Sequence, residues 1–178
     1  MNARLLTSLA TITATAALLC ACAPPETAPP EPTPLFATDE EAFAAAEATY
    51  RAYVDALNAV DLSDPETFED VYAWTTGEMN STERRSMTQL HAASLTLEGQ
   101  ARVLGVWMQD PQVGAPPLSI IACYDVSEVD LRDAIGNSMV SADRPDVQKF
   151  EVTLVESATT STSLQISKMS PTETGRAC

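Results

Sequence analysis

A single change of period constrains this chain more than any other feature. Up to about Ser94 the apolar residues recur at helical spacing, and beyond it they alternate. Phe43, Ala46, Tyr50, Tyr53, Val54, Leu57 and Val60 form one stripe, with Glu47, Arg51 and Asp55 at i, i+4 spacing on the other side. In "LTLEGQARVLGVWMQ", Leu95, Leu97, Ala101, Val103 and Trp107 take one face, and Thr96, Glu98, Gln100 and Arg102 the other. That is the pattern of a half-buried strand. Helices followed by strands predict an α+β domain, with the helices packed on one face of a curved antiparallel sheet of about four strands.

The element boundaries have local causes. "TDEE" offers Thr38 as N-cap with Glu41 three residues on, a capping box, and its carboxylates suit the positive end of the helix dipole. Asp64 can cap a second, short helix with Pro65 at its first position. "TTGEMNSTERRSMTQLHAA" predicts a third helix, with Met79, Met87 and Leu90 as core candidates. "LSIIACYDVSEVDL", "VQKFEVTLVE" and "TSLQISKM" predict three more strands. "DPQVGAPP" and "DAIG" are turns, the second with Gly136 at a position suited to positive φ. The 178 residues, 45% hydrophobic, suffice for one core.

The amino terminus precedes this domain and differs from it. Arg4 opens a minimal basic region, and residues 5–19, "LLTSLATITATAALL", form an apolar run. The run is short for a membrane span, which needs about 20 residues. "LCAC" (Leu19, Cys20, Ala21, Cys22) follows, and it resembles the bacterial lipobox. The resemblance implies a signal peptide over 1–21, cleavage after Ala21, and a diacylglycerol thioether on Cys22 with palmitate-type chains. Two acyl chains bury enough CH₂ groups for stable attachment, at about 0.8 kcal/mol each. Residues 23–37, "APPETAPPEPTPLFA", carry six prolines. Proline has no backbone donor and a fixed φ, so 22–37 is expected to be an extended spacer and 38–178 the single domain.

With Cys20 lost in the signal and Cys22 acylated, Cys123 and Cys178 are the remaining thiols. Outside the cytoplasm such a pair favours a disulfide. It would pin the tail "SPTETGRAC", which has no other obvious reason to be ordered.

The order of one long helix, two short ones and four strands is similar to the NTF2-like (cystatin-like) cone fold. "CYDVSEVDLRDAIGNSMVSADRPDVQKFEVTL" resembles the strand–turn–strand core of small actinobacterial lipoproteins. The resemblance covers residues 39–178. It implies a mouth between the first helix and the sheet, and some such cones run acid–base isomerase chemistry there. That chemistry needs a carboxylate of raised pKa opposite a hydroxyl donor. Asp125 beside Tyr124, with Tyr50 or Tyr53, are the parts this chain offers.

Other chemistries are disfavoured. A net charge of −15 argues against nucleic acid and against docking on anionic headgroups. No phosphate-cradling glycine loop or nucleophile elbow is present. "DLSDPETFED" has neither the glycine nor the closing glutamate of a calcium loop. The one histidine, His91, and the widely spaced cysteines give no zinc set. No catalytic residue, metal ligand or cofactor is therefore expected. The expectation is a lipid-anchored, extracytoplasmic protein with a non-enzymatic binding or accessory role at the cell envelope. Its candidate pocket is lined by Tyr50, Tyr53, Trp74, Trp107 and Asp125. Its partners are the membrane and either an envelope protein or a small apolar ligand. The alternative is a small apolar-ligand-binding or isomerase-like enzyme that uses Asp125. A partner on the outer sheet face would use Trp107 and Met108.

Overall fold

Thr38 starts α1 (Asp39–Asn58): its hydroxyl accepts from the Glu41 N–H at 3.2 Å. The Glu41 carboxylate reaches back past the cap to the Ala37 N–H at 3.0 Å. The computed structural model describes residues 34–109 and 115–178. The signal at 1–21, Ala21, Cys22 and most of the spacer lie outside the described residues. Leu35 and Phe36, assigned from sequence to the spacer, are half-buried and pack against the core.

Asp64 caps a 3-10 turn (Pro65–Thr67) that runs into α2 (Phe68–Ala73). α3 spans Gly77–Ala92 and buries Met79 and Met87, with Leu90 half-buried. Six strands follow among the described residues: β1 (Thr96–Glu98), β2 (Arg102–Met108), β3 (Leu118–Asp125), β4 (Asp130–Arg132), β5 (Val147–Glu156) and β6 (Leu164–Pro171). The main sheet is antiparallel, in the order β2-β3-β5-β6. β1 and β4 form a separate antiparallel pair. The fold is α+β: three N-terminal helices packed against a four-stranded antiparallel sheet.

One face of the sheet carries Val106, Leu118, Ile120, Ala122, Val152, Leu154, Leu164 and Ile166, all buried. α1 lies across β2, β3 and β6, and α3 packs on β6 and α2. Burying one such aliphatic side chain fully is worth about 1.5–3 kcal/mol, so this layer drives the docking of the helices.

Two readings from sequence change here. The long first strand breaks in two at Gly99, whose φ is +78° and where a Cβ would overlap the Glu128 carbonyl. A bulge between Val103 and Gly105 then shifts the phase of β2. Val103, Val106 and Met108 face the core, while Trp107 pairs with Ile121 on the opposite face. Trp107 therefore does not share a face with Leu95 and Leu97.

The outer face has its own cover. Ile121 and Cys123 alternate with the core-facing Ile120 and Ala122, yet they are 3% and 0% exposed. The C-terminal tail lies over them. Thr172 N–H donates to the Lys149 carbonyl, and Lys149 Nζ donates to the Glu173 carbonyl, each at 3.1 Å. A Cβ on Gly175 would sit 3.3 Å from Ile121 Cγ1, and the Arg176 guanidinium lies 5.2 Å from the Trp107 ring centre. Cys178 closes the strap in a disulfide with Cys123, Cα to Cα 5.7 Å.

Candidate functional site

The five residues expected to line one pocket are divided between the buried core, the end of α2, the end of β3 and the outer face of the sheet. Tyr50 and Tyr53 are 1% and 2% exposed beneath the helices, their ring centres 6.2 Å apart. Trp74 caps α2, where its carbonyl accepts from Ile166 N–H at 3.0 Å. Trp107 lies on the outer face, under the tail. Asp125 ends β3 with its carboxylate turned to Arg102, at 3.1 Å, and to the Ser127 N–H, at 2.9 Å. The Ser127 hydrogen bonds, with Arg102 adding to them, hold Asp125 below the usual carboxylate range. That is the reverse of what proton abstraction from an apolar site requires.

The carboxyl with a raised pKa is Glu83, which the reading from sequence did not single out. It is half-buried on α3 and accepts from the Tyr53 hydroxyl at 2.6 Å. Burial pushes its pKa up, and the Tyr53 hydrogen bond opposes this only in part. Tyr53 is pushed well above the ordinary phenol value, by burial first and then by the Glu83 charge and hydrogen bond. Burial also raises Tyr50. A signal for Glu83 existed. Met79, Glu83, Met87 and Leu90 share one helical stripe, so a carboxylate interrupts an otherwise apolar face.

Tyr124 links this cluster to a cavity. Its phenol is pushed up to about 12, by burial first and then by Glu83, while Arg144 draws it down. The cavity, about 160 Å³, lies between the C-terminal part of α1, α3 and the β1–β4 pair. Leu62, Met87, Leu90, Leu97 and Leu131 wall it, and Tyr124 and Arg144 supply its polar atoms together with Asn58. Asn58 is already engaged, since its amide exchanges two hydrogen bonds with the Ala101 backbone, at 2.8 and 2.9 Å. A larger depression of about 490 Å³ lies beside Cys178, lined in part by Pro145, Val147, Phe150 and Pro171.

His91 is held by its neighbours. Its Nδ1 donates to the Leu62 carbonyl at 2.7 Å, and its ring meets Phe68 edge-on at 6.3 Å. Among the described residues, no group of three or more His, Cys, Asp or Glu side chains is placed to hold a metal ion. No helix among them is long and apolar enough to cross a membrane.

No family model and no curated protein sequence matches the chain. Two solved structures are similar at low identity. One is the intermembrane space region of the chloroplast protein ARC6. It is 12% identical with a TM-score of 0.47, covering 72% of this chain and 95% of that one. The other is a periplasmic fragment of TraM. It is 14% identical with a TM-score of 0.36, covering 70% and 96%.

Proposed function

We propose that this chain is an extracytoplasmic lipoprotein, anchored through a diacylglycerol on Cys22, with a non-enzymatic binding or accessory domain at the bacterial cell envelope. The observation that carries this reading is the Cys123–Cys178 disulfide that clasps the tail over the sheet. Such a structural bridge persists where thiols are kept oxidised. The anchor itself rests on "LCAC" and the proline-rich spacer, and the picture of a helix-lined mouth on the NTF2-like resemblance. The electrostatics support the non-enzymatic part. Asp125 is ion-paired and held ionised, while Glu83 is bound to Tyr53 and does not line the cavity.

Intact-mass measurement of the protein from the membrane fraction tests this reading. The expected species starts at Cys22, carries the acyl mass, and is two hydrogens lighter than the fully reduced chain. A mature chain starting elsewhere, or two titratable thiols after unfolding without reductant, would overturn it.

A further inference from the structure

We propose that the cavity between α1, α3 and the β1–β4 pair binds a small apolar monocarboxylate, whose carboxylate pairs with Arg144 and whose hydrocarbon body lies among Leu62, Met87, Leu97 and Leu131. This specifies the ligand of the binding role proposed above, and rests on that role.

The first ground is Arg144. It is half-buried, and among the described residues it has no ion-pair partner, whereas Arg51 and Arg84 each have one and Arg102 and Arg132 each have two. Asp130, which feels its charge, already binds Arg132 at 2.9 Å and the Ser138 hydroxyl at 2.5 Å. One guanidinium nitrogen of Arg144, Nη2, donates to the Val126 and Val129 carbonyls, at 2.7 and 2.8 Å. These two bonds fix the plane of the group and occupy Nη2, which belongs to both forks of a guanidinium, so Nε and Nη1 remain as separate single donors. A guanidinium held in a fixed plane can give a carboxylate one charge-assisted hydrogen bond.

The second ground is the wall. Leu62, Met87, Leu90, Leu97 and Leu131 line the cavity together with Arg144, so a ligand there meets one cation and an apolar body. Tyr124 stands beside Arg144, near enough for its phenol to feel the guanidinium, and provides a second donor. The third ground is size. A cavity of about 160 Å³ is close to the roughly 150 Å³ that accommodates one benzene ring. That admits a single ring or a short branched chain and excludes a lipid-length acyl chain. The net charge of −15 does not forbid an anion here. At physiological salt, charges beyond about 8 Å are largely screened, and the guanidinium is in direct contact.

The test uses the full-length protein in phosphatidylcholine nanodiscs, titrated calorimetrically with benzoate and with benzamide, its neutral isostere. Benzoate is expected to bind saturably and about tenfold more tightly than benzamide, the value of one charge-assisted contact. Arg144→Gln should remove that preference and leave benzamide binding unchanged. Leu131→Trp should fill the cavity and abolish both. Equal binding of the two probes by the unaltered protein, no binding of benzoate, or tighter binding of palmitate would each overturn the proposal. The unaltered protein alone decides these outcomes, so a variant that fails to fold does not shelter the idea. The mass measurement decides the anchor independently of this titration.

Discussion

A carboxyl group on the apolar side of α3 has a sign that surface carboxylates lack. Glu83 has a folded pKa raised above its ordinary value, because burial penalises the charge more than the Tyr53 hydroxyl repays it. It therefore binds its proton more tightly in the folded state than in the unfolded one. Its contribution to stability is complete below the ordinary glutamate range and is lost as pH rises through the raised value. Glu83→Gln fixes the neutral form, and its amide oxygen can still accept from Tyr53. Relative to this variant, the wild-type urea midpoint should fall as pH is raised from acid to neutral. Removing the donor instead, by Tyr53→Phe, should cost about 1.5–3 kcal/mol at neutral pH. It should also move Glu83 further up, as read by carboxyl-carbon NMR. At Gly105 the constraint is space. A Cβ would lie 2.5 and 2.6 Å from two ring carbons of Trp107. Gly105→Ala should destabilise by about 1–3 kcal/mol in urea melts and shift tryptophan emission, because the indole must leave its place under Arg176.

At the level of elements, the C-terminal strap does for the outer face what the helices do for the inner one. β3 is apolar on its inner face and, at Ile121 and Cys123, in the middle of its outer face too, and those two residues need a cover of their own. Residues 172–178 supply the second cover with few apolar contacts of their own, so the covalent closure matters. Cys178→Ser should lower stability by about 2–4 kcal/mol, most of it through the unfolded state, since the bridge spans a sequence separation of 55 residues. Denaturant melts followed by tryptophan fluorescence would read both the lost stability and the uncovering of Trp107. An unchanged midpoint would mean that the strap holds without its clasp. The phase shift of β2 belongs to the same scale. Alternation in the sequence correctly marked a strand, but one bulge at Val103–Gly105 reassigned every side chain after it.

For the whole molecule, charge dominates. With a net charge of −15 the folded state repels itself, so melting temperature should rise as NaCl goes from low to physiological concentration. Acid acts the other way on Asp61, Asp125, Asp130 and Asp133. Hydrogen bonds hold each below its ordinary value: from Ser63, from Ser127, from Ser138, and from Asn137 respectively. Their stabilisation is present above the ordinary aspartate range and is lost as pH falls through the lowered values. A stability profile flat across this acid range would contradict these assignments.

Several features were decided by the sequence alone because they are local. The Thr38 cap, the Asp64–Pro65 start, the Met79–Met87 stripe and the tight turn at Gly136 depend on residues a few positions apart, and each stands where the sequence placed it. The α+β class followed from the change of period, because a helical stripe and an alternating strand each need the other's apolar face. The Cys123–Cys178 pairing followed from counting thiols, once the lipobox resemblance had accounted for the other two. The candidate site did not follow. Asp125 and Trp107 were placed in one pocket with Tyr50 because they carry suitable groups. A bulge and an ion pair turned them elsewhere. Arg144 lies in the stretch that carries the lipoprotein resemblance, as part of its late Arg-Pro, yet nothing there pointed to a cavity, since the stretch is irregular and Arg144 meets Tyr124 and the β1–β4 pair only in the folded chain. Periodicity reports which face of an element is apolar. Which polar groups share a cavity depends on contacts between residues far apart in the chain, and those are made only when the layers close.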